Sequence, residues 1–300
     1  MTHSSARPGH IDQTDEIPRD LFRHSQALTV TVVENRRLTP ADCSADVRHL
    51  VLRYPPEQFQ FLEGQAIGIA PGGLNSRGRP NAPRLYSVAS DRLGDDGTGQ
   101  TLTLTVKRVR YKGQDGKEKQ GITSQHLCDA QPGDALSLTG PVGVSLVLLP
   151  QPRAPLVLLA TGTGIAPFRA YLRHMLRIPA EQRVPIWLIF GARTADEALY
   201  AGEWLDMQKE LDLRVDYALS RSQVNAQGGR MYVPDLMWTF RDELWDWLHA
   251  RGATLVVCGV RGLELGALDV LERLAQERGT SGTEWIQGLR EQHRLRIEVY

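Results

Sequence analysis

The spacing of apolar residues changes near residue 150, and this change constrains the fold more than any other feature of the chain. Before it, apolar and polar residues mostly alternate in short segments separated by Gly, Pro and Asn/Asp clusters, a pattern typical of antiparallel strands. The alternating segments are 28–33, 47–52, 66–69, 101–106 and 135–138. Only residues 123–129 look helical in this half. We therefore predict, over residues 27–150, a small antiparallel β-barrel that carries one short helix.

The remaining half, residues 151–300, has unbroken apolar runs separated by longer amphipathic stretches, and it begins with a Pro-rich segment at 151–155 that we interpret as a linker. The predicted parallel strands are 156–159, 186–190, 215–219, 255–257 and 295–299, and the predicted helices lie near 166–177, 196–211, 233–250 and 262–278. This alternation is typical of a doubly wound parallel α/β domain, which binds ligands at the carboxyl ends of its strands. The predicted fold class is therefore a two-domain protein, in which an antiparallel β-barrel is followed by a doubly wound parallel α/β domain.

Composition excludes several classes of function. The 300 residues balance 35 Lys+Arg against 35 Asp+Glu, so no overall charge attracts nucleic acid or an anionic membrane. The longest apolar runs, 144–149 and 154–160, are far shorter than the roughly 20 residues of a membrane-spanning helix. Residues 1–26 lack the apolar region of a secretory signal, and we interpret them as a polar, mobile arm. Three cysteines without CxxC spacing fit neither a disulfide scaffold nor an iron–sulfur cluster, so we expect a cytoplasmic protein without a metal site.

A glycine-rich loop, Ala160-Thr-Gly-Thr-Gly-Ile-Ala-Pro167, follows the first predicted parallel strand and precedes a predicted helix. Glycines let backbone N–H groups approach a pyrophosphate, and the helix presents its positive end to the same charge. The candidate ligands of a pyrophosphate are Thr161, Gly162, Thr163 and Gly164. Pro167 stands where the dinucleotide fingerprint carries its third glycine, although proline suits a first helical turn. A strand-to-helix turn without a ligand is the alternative.

The segments after the next two predicted strands favour NADP(H) over NAD(H). An NAD site usually places Asp or Glu after the second strand, where this chain has Phe190-Gly-Ala-Arg-Thr194 and no acid. After the third strand, residues 219–233 carry a hydroxyl, two guanidinium groups and a phenol, which suit a dianionic 2'-phosphate and an adenine. The candidates are Arg193, Ser220, Arg221, Arg230 and Tyr232. A solvated loop whose arginines bind nothing is the alternative.

A series of motifs runs through both halves. In order, they are Arg84-Leu-Tyr-Ser-Val-Ala-Ser90, Gly121-Ile-Thr-Ser124, Gly140-Pro-Val-Gly143, Ala160-Thr-Gly-Thr-Gly-Ile-Ala-Pro167, Ser220-Arg221, Cys258-Gly259 and Ile297-Glu-Val-Tyr300. This ordered series resembles the plant-type ferredoxin-NADP(+) reductases over about residues 27–300. The resemblance implies an FAD-binding barrel joined to an NADP-binding α/β domain, with FAD as cofactor and NADP(H) as co-substrate.

The resemblance implies roles for residues of the barrel. Arg84 would pair with the FAD pyrophosphate, Tyr86 would pack on the isoalloxazine, and Ser87 would lie near flavin N5. Tyr111 would stack on the adenine. The complete set of flavin-binding candidates is Arg84, Leu85, Tyr86, Ser87, Lys107, Tyr111, Gly121, Ile122, Thr123 and Ser124. Without the resemblance, these segments could be an amphipathic strand, a strand-end tyrosine and an ordinary helix N-cap.

The catalytic residues that the resemblance implies are Ser87, Cys258, Glu298 and Tyr300. Cys258 would border the nicotinamide beside Gly259, and Glu298 would face the same site. Tyr300, the last residue of the sequence, would stack on the flavin face that the nicotinamide must reach and would swing aside for transfer. A buried structural cysteine and a surface salt bridge are the alternatives for Cys258 and Glu298.

We therefore predict an oxidoreductase that passes hydride between NADP(H) and FAD and single electrons between FAD and a separate carrier, ferredoxin or flavodoxin. An acidic carrier needs a basic patch. Its candidate residues are Arg290, Arg294, Arg296, Lys107, Lys112, Lys117 and Lys119. We expect a monomer with no nucleic-acid or membrane partner. The alternatives are the reductase component of a multicomponent oxygenase and a non-catalytic flavin- or nucleotide-binding module.

Overall fold

The computed structural model describes residues 17–75, 77–113, 116–147 and 154–300. The described chain divides into two compact units. The first contains the residues up to 147 together with Arg169–His174, and the second contains the residues from 154 to 168 and Met175–Tyr300. The predicted domain boundary between residues 150 and 151 lies outside the described residues, as do residues 151–153 of the predicted linker.

The described residues of the first unit contain eight strands and one complete α-helix, besides the helical segment Arg169–His174. They are β1 (Leu28–Arg37), β2 (Val47–Arg53), β3 (Ala66–Ala70), β4 (Arg84–Ser87), β5 (Thr101–Lys107), β6 (Arg110–Lys112), β7 (Glu118–Gln120), α1 (Ile122–Asp129) and β8 (Ala135–Val142). Six strands form a sheet in the order β4-β3-β8-β1-β2-β5, and every neighbouring pair is antiparallel. A bridge between Val88 and Leu104 joins the chain after β4 to β5 and closes the sheet. The predicted antiparallel barrel is confirmed.

The barrel encloses an apolar core because successive side chains of a strand point to opposite faces. Leu50, Ile67 and Leu104 have no exposed surface, and burial of each side chain contributes roughly 1.5–3 kcal/mol. Helix α1 is attached by Asn35, whose Nδ2 donates to the carbonyls of Leu127 at 3.0 Å and Ala130 at 2.7 Å. The carboxyl end of α1 is therefore fixed to β1, which orients its amino end.

The described part of the predicted arm, residues 17–26, contacts the barrel. Phe22 N donates to Gly140 O at 3.1 Å, Gly140 N donates to Phe22 O at 2.8 Å, and Gln65 Nε2 donates to Pro18 O at 2.8 Å. These hydrogen bonds hold residues 17–26 against β8 rather than leaving them as a mobile arm. Residues 1–16 lie outside the described residues.

Among the carboxylates of the first unit, Glu63 and Asp95 are paired with arginines that are almost fully buried. Glu63, which has no exposed surface, accepts from the Arg92 backbone N at 2.8 Å, Nε at 3.1 Å and Nη2 at 2.6 Å. Burial alone would raise the pKa of Glu63, but the hydrogen bonds and charge of Arg92 outweigh it and hold this pKa below its usual value. Asp95 accepts from Arg169 Nη1 at 2.9 Å and Nη2 at 3.1 Å, so it holds the segment Arg169–His174 in this unit.

The second unit alternates strands and helices. Its strands are β9 (Leu156–Thr161), β10 (Ile186–Ala192), β11 (Leu213–Leu219), β12 (Thr254–Gly259) and β13 (Leu295–Val299). Its helices are α2 (Ala166–Arg177), α3 (Ala201–Met207), α4 (Val233–Thr239), α5 (Arg241–Trp245), α6 (Arg261–Glu277) and α7 (Gly282–Glu291). All strands are parallel, in the order β11-β10-β9-β12-β13. The predicted doubly wound parallel sheet is confirmed.

Two predicted helices differ from the structure, and a third helix was not predicted. The helix near 196–211 is reduced to α3, because Tyr200 has a left-handed backbone with φ 61°. The helix near 233–250 is divided into α4, α5 and a π-helical turn, with a break at Phe240. Helix α7 was not predicted, although Ser281 Oγ accepts from Glu284 N at 3.3 Å in a Ser-x-x-Glu cap that is visible in the sequence. Among the described residues, no helix is both long and apolar enough to cross a bilayer.

The strand order places a crevice at the carboxyl ends of β9 and β12. The chain runs outward from β9 to β10 and β11 on one side, and to β12 and β13 on the other. Loops that leave two such strands turn in opposite directions and open a ligand site between them. The glycine-rich loop after β9 and the Cys258-Gly259 pair at the end of β12 therefore meet at this switch point.

Glu63→Ala is expected to lower the free energy of unfolding by about 3–5 kcal/mol, because it leaves the Arg92 guanidinium without its counter-charge. Glu57→Ala, at an exposed position of the same unit, is the control and should stay within about 0.5 kcal/mol of the parent. Because the folded pKa of Glu63 is lowered, its contribution is complete above the ordinary value of 4.5 and is lost as the pH falls below it. Urea denaturation at several pH values measures both effects; equal losses in the two variants would contradict the prediction.

Candidate active site

A cleft of about 670 Å³ opens in the first unit beside β4 and the amino end of α1. Predicted flavin-binding residues that line it are Arg84, Leu85, Tyr86, Tyr111, Gly121, Ile122, Thr123 and Ser124. They come from three separate segments of the sequence. The fold therefore brings together in one cleft most of the residues to which the resemblance assigns a flavin role.

Strand β4 presents two of these side chains on one face. Arg84 pairs with Ile69 and Tyr86 pairs with Ile67 of β3, so the period of two places both side chains on the same side of the sheet. In the part of the chain that the structure describes, Arg84 has no ion-pair partner. Burial raises the pKa of the half-buried Tyr86 phenol to about 12, so it stays protonated at neutral pH. Strand β4 therefore offers an unpaired cation and a neutral aromatic ring.

The amino end of α1 adds hydrogen-bond donors. Gly121 precedes the helix, and no side chain caps it. The first amide groups of a helix have no acceptor within the helix, so those of Ile122, Thr123 and Ser124 are available to an anion. The Ser124 hydroxyl is already used, because its Oγ donates to Gly121 O at 3.0 Å and accepts from Val109 N at 3.1 Å. The Ser124 hydroxyl is therefore less suited to bind an anion than the Ser124 backbone N–H is.

The cleft suits the FAD that the resemblance implies. Leu85 is 63% exposed and Ile122 60% exposed, so apolar surface is open in the same cleft as the unpaired Arg84. A flavin dinucleotide has a flat apolar ring next to a pyrophosphate, and it would cover the first and pair with the second. The residues of the cleft therefore fit this group.

Two flavin-binding candidates are absent from the lining, and others were missed. Of the described residues, Ser87 and Lys107 do not line the cleft; Ser87 pairs with Ala66 on β3 and Lys107 is exposed at the end of β5. Lining residues that the sequence reasoning missed are Pro71, Asn75, Asn81, Ala82 and Val109. The turn-forming composition of residues 71–82 indicated a loop but not its position beside the cleft.

The glycine-rich loop of the second unit begins at the end of β9. Gly162 has φ +54°, and a 3₁₀ turn, Gly162–Ile165, leads into α2, whose first turn contains Pro167. A Cβ on Gly164 would lie 2.2 Å from the carbonyl oxygen of Cys258, so only glycine lets the loop approach β12 this closely. Thr161 Oγ1 accepts from Val260 N at 3.2 Å and ties the same two segments together.

The predicted catalytic residues of the second unit lie beside this loop. Cys258 is opposite Glu298 in the parallel pair of β12 and β13. Burial, followed by the charge of Glu298, raises the pKa of the Cys258 thiol well above its usual value. Burial also raises the pKa of Glu298. The pair therefore combines a protonated thiol with a carboxyl group that retains its proton to higher pH than an exposed one.

Tyr300 continues β13 onto the glycine-rich loop. Its backbone N donates to Gly259 O at 3.0 Å, and its hydroxyl lies 2.8 Å from Thr163 Oγ1. The residue as a whole is 66% exposed, although its hydroxyl end is desolvated against the loop. Desolvation raises the pKa of the phenol, while its hydrogen bonds with the Thr163 hydroxyl and the Gly164 N–H act in the opposite direction.

The predicted 2'-phosphate residues lie at the ends of β10 and β11. Ser220 N donates to Ala192 O at 3.0 Å and Arg221 N donates to Arg193 O at 2.9 Å, so the two strand ends are joined. Arg193 is paired with Glu197 at 2.7 Å. By contrast, the exposed Arg221 and Arg230 have no carboxylate partner within the described ranges.

Hydrogen bonds within the loop that carries Arg221 and Arg230 fix the conformation of its backbone. Asn225 Oδ1 accepts from Gly229 N at 2.8 Å, and Asn225 Nδ2 donates to Asp235 Oδ1 at 3.0 Å. Tyr232, half-exposed just before α4, donates its backbone N to Asp235 Oδ2 at 2.7 Å. The backbone of the loop is thus fixed by contacts that leave the guanidinium groups of Arg221 and Arg230 without a carboxylate. Among the described residues, no group of three or more His, Cys, Asp or Glu is arranged to bind a metal ion.

Comparisons with known proteins agree with this geometry. Residues 38–145 match the oxidoreductase FAD-binding domain family and residues 158–268 match the oxidoreductase NAD-binding domain family. Ferredoxin--NADP reductase of Synechocystis sp. is 36% identical over 293 residues, which are 96% of this chain and 71% of that protein. The chloroplastic ferredoxin--NADP reductase of Chlamydomonas reinhardtii is 38% identical over 95% of this chain and 83% of its own length.

Solved structures show the same fold. Ferredoxin-NADP+ reductase from Plasmodium falciparum with 2'P-AMP superimposes with a TM-score of 0.73 and 21% identity. The match covers 94% of this chain and 99% of that one. Both units described above therefore have counterparts in a known two-domain architecture.

Thiol chemistry tests the burial of the site. At pH 8, a thiol reagent is expected to modify Cys43 in the folded protein and to leave Cys128 and Cys258 unmodified. Burial raises the pKa of Cys128 to about 12 and that of Cys258 further, so neither forms the reactive thiolate. Peptide mapping after labelling identifies the modified thiols, and unfolded protein, in which all three react, is the control. Rapid labelling of Cys258 in the folded protein would contradict the assigned burial.

Proposed function

The chain belongs to the plant-type ferredoxin-NADP(+) reductase family, so it is an FAD-dependent, NADP-dependent oxidoreductase, and we propose how its described residues divide this work. Bound FAD exchanges hydride with NADP(H) and single electrons with ferredoxin. The residues of the chain bind and orient the two nucleotides and control access to the reacting atoms.

One observation carries the proposal for the first unit: β4 and the amino end of α1 converge on one cleft. Arg84 and the first amides of α1 would bind the FAD pyrophosphate, since both are donors without protein partners. Tyr86 would pack on the isoalloxazine, and Tyr111 would stack on the adenine. Ser87, next to Tyr86 but outside the lining, would bring its hydroxyl to the edge of the ring.

The second unit would bind NADP(H) at the switch point of its sheet. The loop 161–164 would hold the pyrophosphate at the amino end of α2, and Arg221 and Arg230 would pair with the 2'-phosphate. Tyr232 would cover the adenine. Arg193 would act indirectly, because Glu197 already neutralises it.

The groups at the ends of β12 and β13 would act on the nicotinamide. Cys258, protonated and buried, would supply a small neutral surface that orients the ring. Glu298 would hold a proton near the same position, because burial raises its pKa. Tyr300 would occupy the place of the nicotinamide until the coenzyme enters. These roles account for the catalytic residues of this unit without a metal ion.

We propose an acidic ferredoxin as the natural carrier, with flavodoxin as a second possible acceptor. The exposed strands β6 and β7 carry Lys112 and Lys119, which support a basic docking surface. Arg294 is less suitable than the sequence suggested, because its guanidinium donates to the carbonyls of Leu248 and Ala253. A reductase component of an oxygenase and a non-catalytic module remain the alternatives, and a panel of carriers separates them.

A monomeric, cytoplasmic enzyme is the form we propose. The cysteines of the described chain, Cys43, Cys128 and Cys258, are all free thiols, which supports a reducing compartment. Size-exclusion chromatography with light scattering tests the oligomeric state.

The function is tested with the purified full chain. After incubation with FAD, the protein should be yellow, lose its oxidised-flavin absorbance on anaerobic addition of NADPH, and then reduce ferredoxin. Reduction of ferredoxin should fall steeply as salt increases, because docking depends on screened charges. A colourless protein that does not take up FAD would contradict the proposal. Rates independent of salt would contradict only the basic docking surface.

Arg221→Ala tests the choice of coenzyme. The change should lower kcat/KM for NADPH by about 10- to 100-fold, since a charge-assisted hydrogen bond contributes roughly 1.5–3 kcal/mol, and should leave kcat/KM for NADH nearly unchanged. Arg290→Ala, which removes one exposed cation from α7, is the control for net charge. Steady-state reduction of an artificial acceptor measures kcat/KM for NADPH and for NADH in the parent and in each variant. Equal losses with NADPH and NADH would refute the 2'-phosphate site.

A further inference from the structure

The Tyr300 hydroxyl lies on the donors that the glycine-rich loop offers to a pyrophosphate. Its oxygen is 2.8 Å from Thr163 Oγ1, and the Gly164 N–H is directed at the same oxygen. Both groups belong to the loop assigned above to the NADP(H) pyrophosphate. Either hydroxyl can be the donor of the 2.8 Å hydrogen bond, but a phosphate oxygen can only accept. A bound phosphate oxygen therefore competes with the phenol oxygen for the single protons of Thr163 Oγ1 and Gly164 N.

The two threonines of this loop have different tasks. Thr161 Oγ1 accepts from Val260 N at 3.2 Å, which attaches the loop to β12. Thr163 has no such structural contact, and its hydroxyl faces Tyr300 alone among the side chains described. Thr163 is therefore the residue of the loop whose hydroxyl can change partners without disturbing the fold.

The ring of Tyr300 can move while its backbone stays in place. The hydrogen bond from Tyr300 N to Gly259 O, at 3.0 Å, continues the pairing of β12 and β13. The hydroxyl end of the ring is held by the hydrogen bond with Thr163, so loss of that bond lets the side-chain torsions change.

We propose that Thr163 and Gly164 form a latch for the Tyr300 ring and that the pyrophosphate of the coenzyme opens it. Without coenzyme, the phenol oxygen takes the place of a phosphate oxygen. When the pyrophosphate binds these donors, the ring is released from the position that the nicotinamide needs. The inference rests on the proposed NADP(H) site. It makes coenzyme binding and the latched position of the Tyr300 ring competing states, so each weakens the other by the same factor.

Calorimetric titration of the FAD-loaded full chain tests the competition without any turnover. The probes are 2'-phospho-ADP-ribose, which has the pyrophosphate but no nicotinamide, and adenosine 2'-monophosphate, which has neither. Tyr300→Phe keeps the ring and removes only the hydroxyl, so it should bind 2'-phospho-ADP-ribose about fivefold more tightly, the effect of one neutral hydrogen bond. Its affinity for adenosine 2'-monophosphate should not change.

Substitutions of Thr163 should act with the opposite sign. Thr163→Val should weaken 2'-phospho-ADP-ribose binding, because the pyrophosphate loses a donor, and Thr163→Ser should restore it. In the Thr163→Val background, the gain from Tyr300→Phe should be smaller, because one of the two shared donors is gone. General damage to the loop would change the affinity for 2'-phospho-ADP-ribose in the same direction in the Tyr300 and Thr163 variants, so opposite changes support the latch.

Two results would overturn the latch while leaving the NADP(H) site intact. One is an unchanged affinity of Tyr300→Phe for 2'-phospho-ADP-ribose. The other is an equal gain for both probes, which would indicate a general effect on the site. If the unaltered protein binds neither probe, the proposed NADP(H) site fails, and the latch fails with it.

Discussion

The close approach of the glycine-rich loop to the end of β12 is the constraint on which the second site depends. A side chain at Gly164 would meet the Cys258 carbonyl at 2.2 Å, and one at Gly259 would meet Thr161 Oγ1 at 2.2 Å. The two glycines therefore allow close packing between the loops that follow β9 and β12, two strands far apart in sequence. Because these loops pack closely, the loop amides lie beside the Cys258 backbone and the Tyr300 hydroxyl.

Both candidate sites leave positive groups unsatisfied where an anion is to bind. Most arginines inside the units are paired: Arg92 with Glu63, Arg169 with Asp95 and Arg193 with Glu197. Arg84 and Arg221 are the contrast, because no carboxylate among the described residues approaches either of them. An arginine without a partner costs little folding free energy while water solvates it, and its charge and hydrogen-bond donors stay available to a phosphate. The lack of a carboxylate partner, together with a position in a candidate site, thus marks Arg84 and Arg221 as anion-binding residues.

The fold and much of the candidate sites were predictable from the sequence because local rules and long-range packing agree there. Alternation predicted the barrel strands, and a glycine loop between a strand and a helix predicted the position of α2. Prediction failed where a tertiary contact decides the local conformation. Tyr200, with its left-handed backbone, delays the start of one predicted helix to Ala201, and Asn75 lines the cleft only because the loop after β3 folds back beside β4. The contact between Thr163 and Tyr300 joins residues 137 positions apart, and no spacing in the sequence indicates it.

The first unit is not a continuous stretch of the chain, since it includes Arg169–His174 from the middle of α2. Arg169 is 2% exposed and donates to Asp95 and to the Ala89 carbonyl. A fragment that stops before α2 would lack the counter-charge of Asp95, and a fragment that starts there would carry a desolvated guanidinium without its carboxylate. Domain exchange with relatives therefore requires a graft that carries this stretch of helix along with the barrel, because a single recombination point cannot separate the two modules cleanly.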